Sequence, residues 1–219
     1  MVMSTDKRLQ VDKRDGLNGI VQTSHSIFAM KQPLSVERTI SDSKTAITLR
    51  IHFPETLVLE PASNVAATAA APSPTLSLSA YAIEKSATKL GAKYLVISLD
   101  LDAPFPSFPI LSPILHGIQA DLVAGTVDEN GFAPLEGPPN WQVMPYIGPG
   151  PPKLSTPHHY VFMVFEQPEG TDAAKIRSAL GLEGRGTGLM PRMRWDQEAF
   201  ERKLGLGDVV AGNFFFSRG

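Results

Sequence analysis

The 219-residue chain has no cysteine, which excludes disulfides, thiol catalysis and thiolate-bound metals. It has no Asn-x-Ser/Thr acceptor, and no apolar run approaches the roughly 18 residues of a membrane-spanning helix. Residues through Arg14 are charged and lack an apolar stretch, so no secretory signal is expected and the cytoplasm is the expected location. Charge of one sign is also lacking. Twenty Lys and Arg stand against 22 Asp and Glu, for a formal charge of −2. No net field points to nucleic acid or an anionic membrane, so any partner must be selected by a local site. The Gly-x-Ser-x-Gly elbow, the Walker-type phosphate loop and the His-Glu-x-x-His metal motif are absent as well. No metal and no cofactor is expected.

Apolar residues make up 42% of the chain, enough for a sizeable core. Nineteen prolines and 18 glycines are scattered through it, which disfavours long helices and favours short strands and turns. The length fits a single domain over 1–219. Within it, residues 1–31 form an N-terminal arm with a short helix around His25–Met30. Alternation predicts strands over Thr45–Phe53 and Thr75–Ile83, the latter with Leu76, Leu78, Ala80 and Ala82 on one face. Glu60–Pro74 reads as a loop in which the alanine run makes one helical turn. Tyr94–Leu99 is nearly continuously apolar, the pattern of a central strand covered on both faces.

Further strands are expected over Ile114–Val123, His158–Glu166 and Val209–Phe216. A turn is expected at Asp128–Gly131 and a long loop over Gly137–Pro152. Two short helices are predicted, Asp172–Leu180 capped by Thr171 and closed by Gly181, and Asp196–Leu204 ended by Gly205. The fold class is mainly β: two antiparallel sheets with short peripheral helices.

Polar residues stand where core strands should be apolar. Asp100 and Asp102 share parity at the end of a buried strand, which turns their side chains to one side. His116 shares its parity with Ile118, Ala120 and Leu122. His158 and Tyr160 share theirs with Phe162 and Val164, while His159 points the other way. Between these segments, the glycines of Tyr146–Lys153 allow main-chain N–H groups to approach a ligand. An imidazole beside a carboxylate is held in one tautomer or protonated, and Tyr O–H and glycine amides add neutral donors. Such a pocket suits a phosphate or carboxylate. Gly184–Gly188 resembles a phosphate loop but lacks the flanking strand and helix. Arg192, Arg194 and Arg202 read as a solvated face.

In their order and spacing these segments resemble the phosphatidylethanolamine-binding protein (PEBP) family, of the YbhB/YbcL type. Asp100-Leu101-Asp102-Ala103-Pro104 is similar to its first signature, with Pro74-Thr75-Leu76-Ser77 upstream. Gly148-Pro149-Gly150-Pro151-Pro152 and His158-His159-Tyr160 resemble its second, and Ala211–Phe215 its terminal strand. The resemblance implies a ligand pocket made of Asp100, His116, Gly148, Gly150, His158 and Tyr160, with Asp102 orienting it, and a small anionic molecule as partner. Ile114 stands where an aromatic is usual, Leu101 replaces a proline and His159 an arginine. The sequence also has little after its last strand, so the C-terminal helix of animal members is expected to be missing and the pocket mouth wider.

Relatives of this kind also imply two other functions. One is an enzyme of fungal secondary metabolism, for example in maleidride-type anhydride coupling beside a partner enzyme, using Asp100 and His158 as a proton-transfer pair while Tyr160 and the glycine amides hold a developing oxyanion. The other is an inhibitor or scaffold for kinases or proteases.

Overall fold

A computed structural model describes residues 31–58, 60–86, 91–183 and 187–219. The arm read over 1–31, with its helix at His25–Met30, lies outside these but for Lys31, as do the first three residues of the loop at 184–188. In chain order the elements are α1 (Leu34–Ser43), β1 (Leu49–Phe53), β2 (Thr56–Val58), β3 (Ser63–Asn64), β4 (Thr75–Ser79), α2 (Ala80–Ser86), β5 (Lys93–Asp100), β6 (Ile114–Ala124), β7 (Phe132–Glu136), β8 (Gln142–Met144), β9 (His158–Glu166), α3 (Ala173–Ala179), a 3₁₀ turn (Met190–Arg192), α4 (Gln197–Leu204) and β10 (Val209–Ser217).

Strands β2, β1, β4 and β7 form one antiparallel group, and β6, β5, β9 and β10 form another. Strand β7 pairs with both β4 and β6, so the two groups join into one hydrogen-bonded path. The pairing of β10 with β3 is parallel, a departure from the all-antiparallel expectation. Strands β5 and β9 lie at the centre and are buried along nearly their whole length.

One face of β5 and β9 contributes Val96, Phe162 and Val164 to a core shared with Leu49, Ile51, Phe53, Leu76 and Leu78 of the other group. The opposite face contributes Leu95, Ile97, Leu99, Val161 and Met163, packed with Val36 of α1, Ile176 of α3 and Phe200 of α4. Burying each large side chain of this kind stabilises the fold by about 1.5–3 kcal/mol.

The strand expected over Thr75–Ile83 ends at Ser79. The Ser79 Oγ accepts the Ala82 N–H at 3.1 Å and starts α2 there, so a cap overrides the alternation. The strand expected from Thr45 begins at Leu49. Asp172, not Thr171, caps α3, accepting from the Lys175 N–H at 2.7 Å. Asp196 caps α4, and Gly205, at φ 66°, closes it as expected. The alanine run makes its single turn, with Ala70 N–H bonded to the Ala66 carbonyl. The loop over Gly137–Pro152 contains a short strand, β8, because its backbone pairs with β6. Helix α1 falls where no element was expected; only Val36, Thr39 and Ser43 of it are buried, which leaves a weak apolar stripe.

Candidate functional site

Strand β5 pairs with β9 so that Asp100 lies opposite Tyr160. Two residues before Tyr160, the His158 Nδ1 lies 2.9 and 3.1 Å from the two Asp100 carboxylate oxygens. The Asp100 Oδ1 also accepts the Asp102 N–H at 2.8 Å, which fixes the carboxylate plane. On the far side of the ring, His158 Nε2 lies 2.8 Å from the Ser155 hydroxyl. The His158 and Tyr160 rings are stacked with centroids 6.4 Å apart. The Tyr160 hydroxyl is buried and closes no hydrogen bond of normal geometry, although the Asp100 carboxylate and the Gly150 N–H stand near it. Burial, and then the Asp100 charge, push its pKa well above the usual phenol value.

His116 reaches this site through a bulge. Its ring stands edge-on to Tyr160, with centroids 5.1 Å apart, whereas Ile118 and Ala120 pack in the core of the other face. The face assigned to His116 by parity is therefore corrected. The β5–β6 register slips between Ser98 and Leu99, so His116 and Gly117 together span one step and the alternation inverts. A second slip, at Asp121 with φ 57°, restores Leu122 to the face of His116.

The His116 Nδ1 lies 2.7 Å from the Ile147 carbonyl, which selects the tautomer protonated at that nitrogen. Burial lowers the pKa of His116 from the ordinary 6.5, and the Arg192 charge lowers it further. Asp100 and the Ile147 carbonyl partly offset this.

Asp102 does not join Asp100. Strand β5 ends at Asp100, and Asp102 turns to the other side, where its Oδ2 accepts the His159 N–H at 2.6 Å and lies 2.7 Å from His159 Nδ1. The His159 ring packs on Phe214 and Phe216 of β10. This second pair ties the ends of β5 and β9 together beside the first.

The two glycines differ. A Cβ at Gly148 would lie 2.5 Å from the Ala71 Cα, so this glycine is needed for the loop to pack on 70–71. Gly150 is exposed, and a Cβ there would meet nothing within 4 Å. Tyr146 anchors the same loop by donating its hydroxyl to the Ala70 carbonyl at 2.9 Å. The wide mouth expected for the pocket is not seen: Asp100, His116, His158 and Tyr160 are all at most 4% exposed. The loop, tied by the Ile147 N–H to the His116 carbonyl, covers them.

Arg192 is the largest correction. Assigned to a solvated face, it is 1% exposed. Its guanidinium donates to the carbonyls of Leu115 and His116 at 3.2 and 3.0 Å, Pro145 at 2.8 Å and Thr187 at 3.0 Å. All four are neutral acceptors, so the charge stands behind the His116 backbone without a bonded carboxylate. Arg194 and Arg202 are exposed. Neither Arg192 nor Ser155 carries a sequence signal of its role: one follows a proline in an irregular stretch, the other sits in a turn.

A more open cleft of about 630 Å³ lies elsewhere, between α1, α2 and the start of β10. Its Arg38 and Asp208 are already paired at 3.0 Å and well exposed, so the buried Asp/His/Tyr cluster is the stronger candidate for chemistry. Among the described residues, no group of three or more His, Cys, Asp or Glu is arranged to hold a metal ion, and no helix is long and apolar enough to cross a membrane.

Residues 52–215 match the family model of the phosphatidylethanolamine-binding proteins. Over 125 residues the chain is 30% identical to the phomoidride biosynthesis cluster protein N of Talaromyces stipitatus, covering 57% of this chain and 59% of that protein. Over 72 residues it is 40% identical to the carboxypeptidase Y inhibitor of Saccharomyces cerevisiae, covering 33% of this chain and 31% of the inhibitor. Both matches therefore span less than two thirds of the relative. A longer match, 27% identical over 84% of this chain and 89% of the relative, is to the BROTHER of FT and TFL 1 protein of Arabidopsis thaliana. The solved structure of carboxypeptidase Y inhibitor with its cognate proteinase superposes on the fold with a TM-score of 0.60 at 21% identity, covering 78% of this chain and 82% of that one. The chain belongs to the phosphatidylethanolamine-binding protein family.

Proposed function

We propose that this member of the phosphatidylethanolamine-binding protein family binds a small oxyanion, a phosphate or carboxylate, in the pocket of Asp100, His116, Gly148, Gly150, His158 and Tyr160. The observation that carries this reading is the Tyr160 hydroxyl, buried beside the Asp100 carboxylate and the Gly150 N–H without closing a hydrogen bond of normal geometry. A buried polar group left unpaired costs about 1–3 kcal/mol, so a site that keeps one is built for an acceptor from outside. Asp100 does not oppose an anion at full charge, because the His158 Nδ1 and the Asp102 N–H both lie on its oxygens. Arg192 adds positive charge from behind His116.

The His116 Nε2 becomes a donor only when the ring is protonated. Affinity for an anion is therefore expected to rise as the pH falls toward and below the ordinary histidine range. Titration calorimetry with phosphate and with succinate at pH 5.5 and 8 tests this. Tighter binding at the lower pH supports the reading. Equal affinity at both removes histidine charge from it, and no binding of either anion rejects it.

The likeness to the fungal cluster protein favours a second reading, an enzyme of secondary metabolism in which Asp100 and His158 move protons and Tyr160 holds a developing oxyanion. Loss of a metabolite on gene deletion, restored by wild type but not by His158→Ala, would place it ahead of simple binding. The likeness to carboxypeptidase Y inhibitor makes inhibition of a proteinase a third reading, tested by adding the chain to a carboxypeptidase Y assay.

A further inference from the structure

The deepest part of the site continues outward to a hydroxyl that none of these readings uses. Asp100 holds the His158 Nδ1 at 2.9 and 3.1 Å, and the His158 Nε2 holds the Ser155 Oγ at 2.8 Å. A carboxylate bonded to Nδ1–H leaves the neutral ring with its lone pair on Nε2, facing the serine hydroxyl. That is the order of contacts by which a serine is activated as a nucleophile, an order recognised by geometry and not by fold or chain position.

All three residues are buried, and Ser155 is the most exposed of them: Asp100 is 3% exposed, His158 1% and Ser155 8%. Ser155 closes a turn in which its N–H donates to the Pro152 carbonyl at 2.8 Å, and its neighbours Leu154 and Thr156 are exposed. Next to the relay, the ring of Tyr160 stacks on His158, and its hydroxyl closes no hydrogen bond of normal geometry, with the Asp100 carboxylate and the Gly150 N–H near it. An unpaired donor at that place can take up charge that develops on a reacting oxygen.

We propose that Ser155 is a nucleophile toward activated carbonyl compounds, esters or carboxylic anhydrides. The Ser155 Oγ attacks the carbonyl carbon while its proton passes to His158 Nε2. The C–O bond to the leaving group breaks, and that group departs with the proton from His158, leaving an acyl ester on Ser155. Water then attacks this ester and gives its proton to His158, and the serine leaves with that proton, so a carboxylic acid is released and the site is restored. No oxidant or reductant is needed, and Asp100 stays ionised throughout as a positioning residue. The proposal uses the same buried site but not its affinity for anions, so the two readings fail separately: calorimetry decides one and covalent labelling the other.

The test uses the full chain. Wild type is treated with a fluorophosphonate probe and, separately, with p-nitrophenyl acetate, and followed by intact mass and peptide mapping. One adduct per chain on Ser155 is expected, absent in Ser155→Ala. A positioned base typically supplies about 10²–10⁴-fold in rate, so labelling should slow by at least about 10²-fold in His158→Ala and in Asp100→Asn, with melting curves matched to wild type. Asp100→Asn preserves side-chain shape and guards against a variant that merely unfolds. Ser155→Cys supplies an independent readout, since the chain has no other thiol. Its alkylation should show a midpoint below the ordinary thiol value of about 8.5, moving up in the background of Asp100→Asn. Absence of an adduct on Ser155 in wild type, labelling that is as fast without His158, or a thiol midpoint at or above 8.5 each overturns the proposal. In that case the serine only satisfies the histidine nitrogen.

Discussion

Replacing Arg192 by alanine should destabilise the protein by about 2–5 kcal/mol, and the range can be worked from its four bonds. A hydrogen bond to a charged group contributes about 1.5–3 kcal/mol net, but the four are not equal. The Thr187 carbonyl belongs to an exposed residue and can turn to water. The His116 carbonyl keeps a second donor, the Ile147 N–H at 2.9 Å. The carbonyls of Leu115 and Pro145 are those put most at risk, each at about 1–3 kcal/mol if left unpaired, and the vacated side-chain volume adds a cavity cost. Against these stands the relief of a desolvated charge, itself worth several kcal/mol, which keeps the sum from reaching the total of four bonds.

Urea denaturation of wild type and Arg192→Ala measures the difference directly. For a domain of this size each kcal/mol also lowers Tm by about 2–4 °C. Arg192→Lys keeps the charge but cannot reach four carbonyls in one plane, so it should recover less than half of the loss. The same charge lowers the His116 pKa, so that value, followed by NMR, should rise in Arg192→Ala and stay low in Arg192→Lys. A loss below about 1 kcal/mol, or a His116 titration indifferent to Arg192, would refute both the packing and the electrostatic argument.

Three further outcomes are expected. His158→Ala and Asp100→Asn should weaken phosphate binding by up to roughly two orders of magnitude while the fold survives, since each leaves one polar neighbour unpaired; calorimetry beside melting curves checks this. Gly148→Ala should destabilise by about 1–3 kcal/mol because backbone at Ala71 occupies the space a Cβ needs, whereas Gly150→Ala should leave Tm unchanged, a contrast that thermal scans resolve. His116 titrates in the fold below the ordinary 6.5, so between those values the unfolded chain holds the extra proton. Its contribution to stability is therefore lost progressively as the pH falls from about 6.5 to the folded value. Urea midpoints across pH 5–8 should show a slope that flattens in His116→Gln, and a wild-type contribution of the opposite sign would contradict the lowered pKa.

Much of the site was legible in the sequence because it rests on strand parity and local motif. Tyr94–Leu99 reads as a central strand and His158–Glu166 as a strand from their apolar content, and the structure pairs them so that Asp100, His158 and Tyr160 meet. Helix ends are likewise local: Gly205 closes α4 as expected, while the α3 cap falls one residue from its expected place, on Asp172.

What tertiary structure decided is where pairing across strands overrode the period of two. The slip opposite Ser98 and Leu99 moves His116 to the side of Tyr160, and only the register of β5 against β6 sets it. The end of β5 at Asp100 sends Asp102 to His159 rather than to the side of Asp100 and His158, because parity holds only while a strand continues. Arg192 could be buried only because carbonyls from three separate segments converge on it, and no local pattern of charge encodes that convergence. Ser155 acquires its meaning in the same way: a turn hydroxyl like many others until a strand from 58 residues away brings Asp100 to the far side of His158.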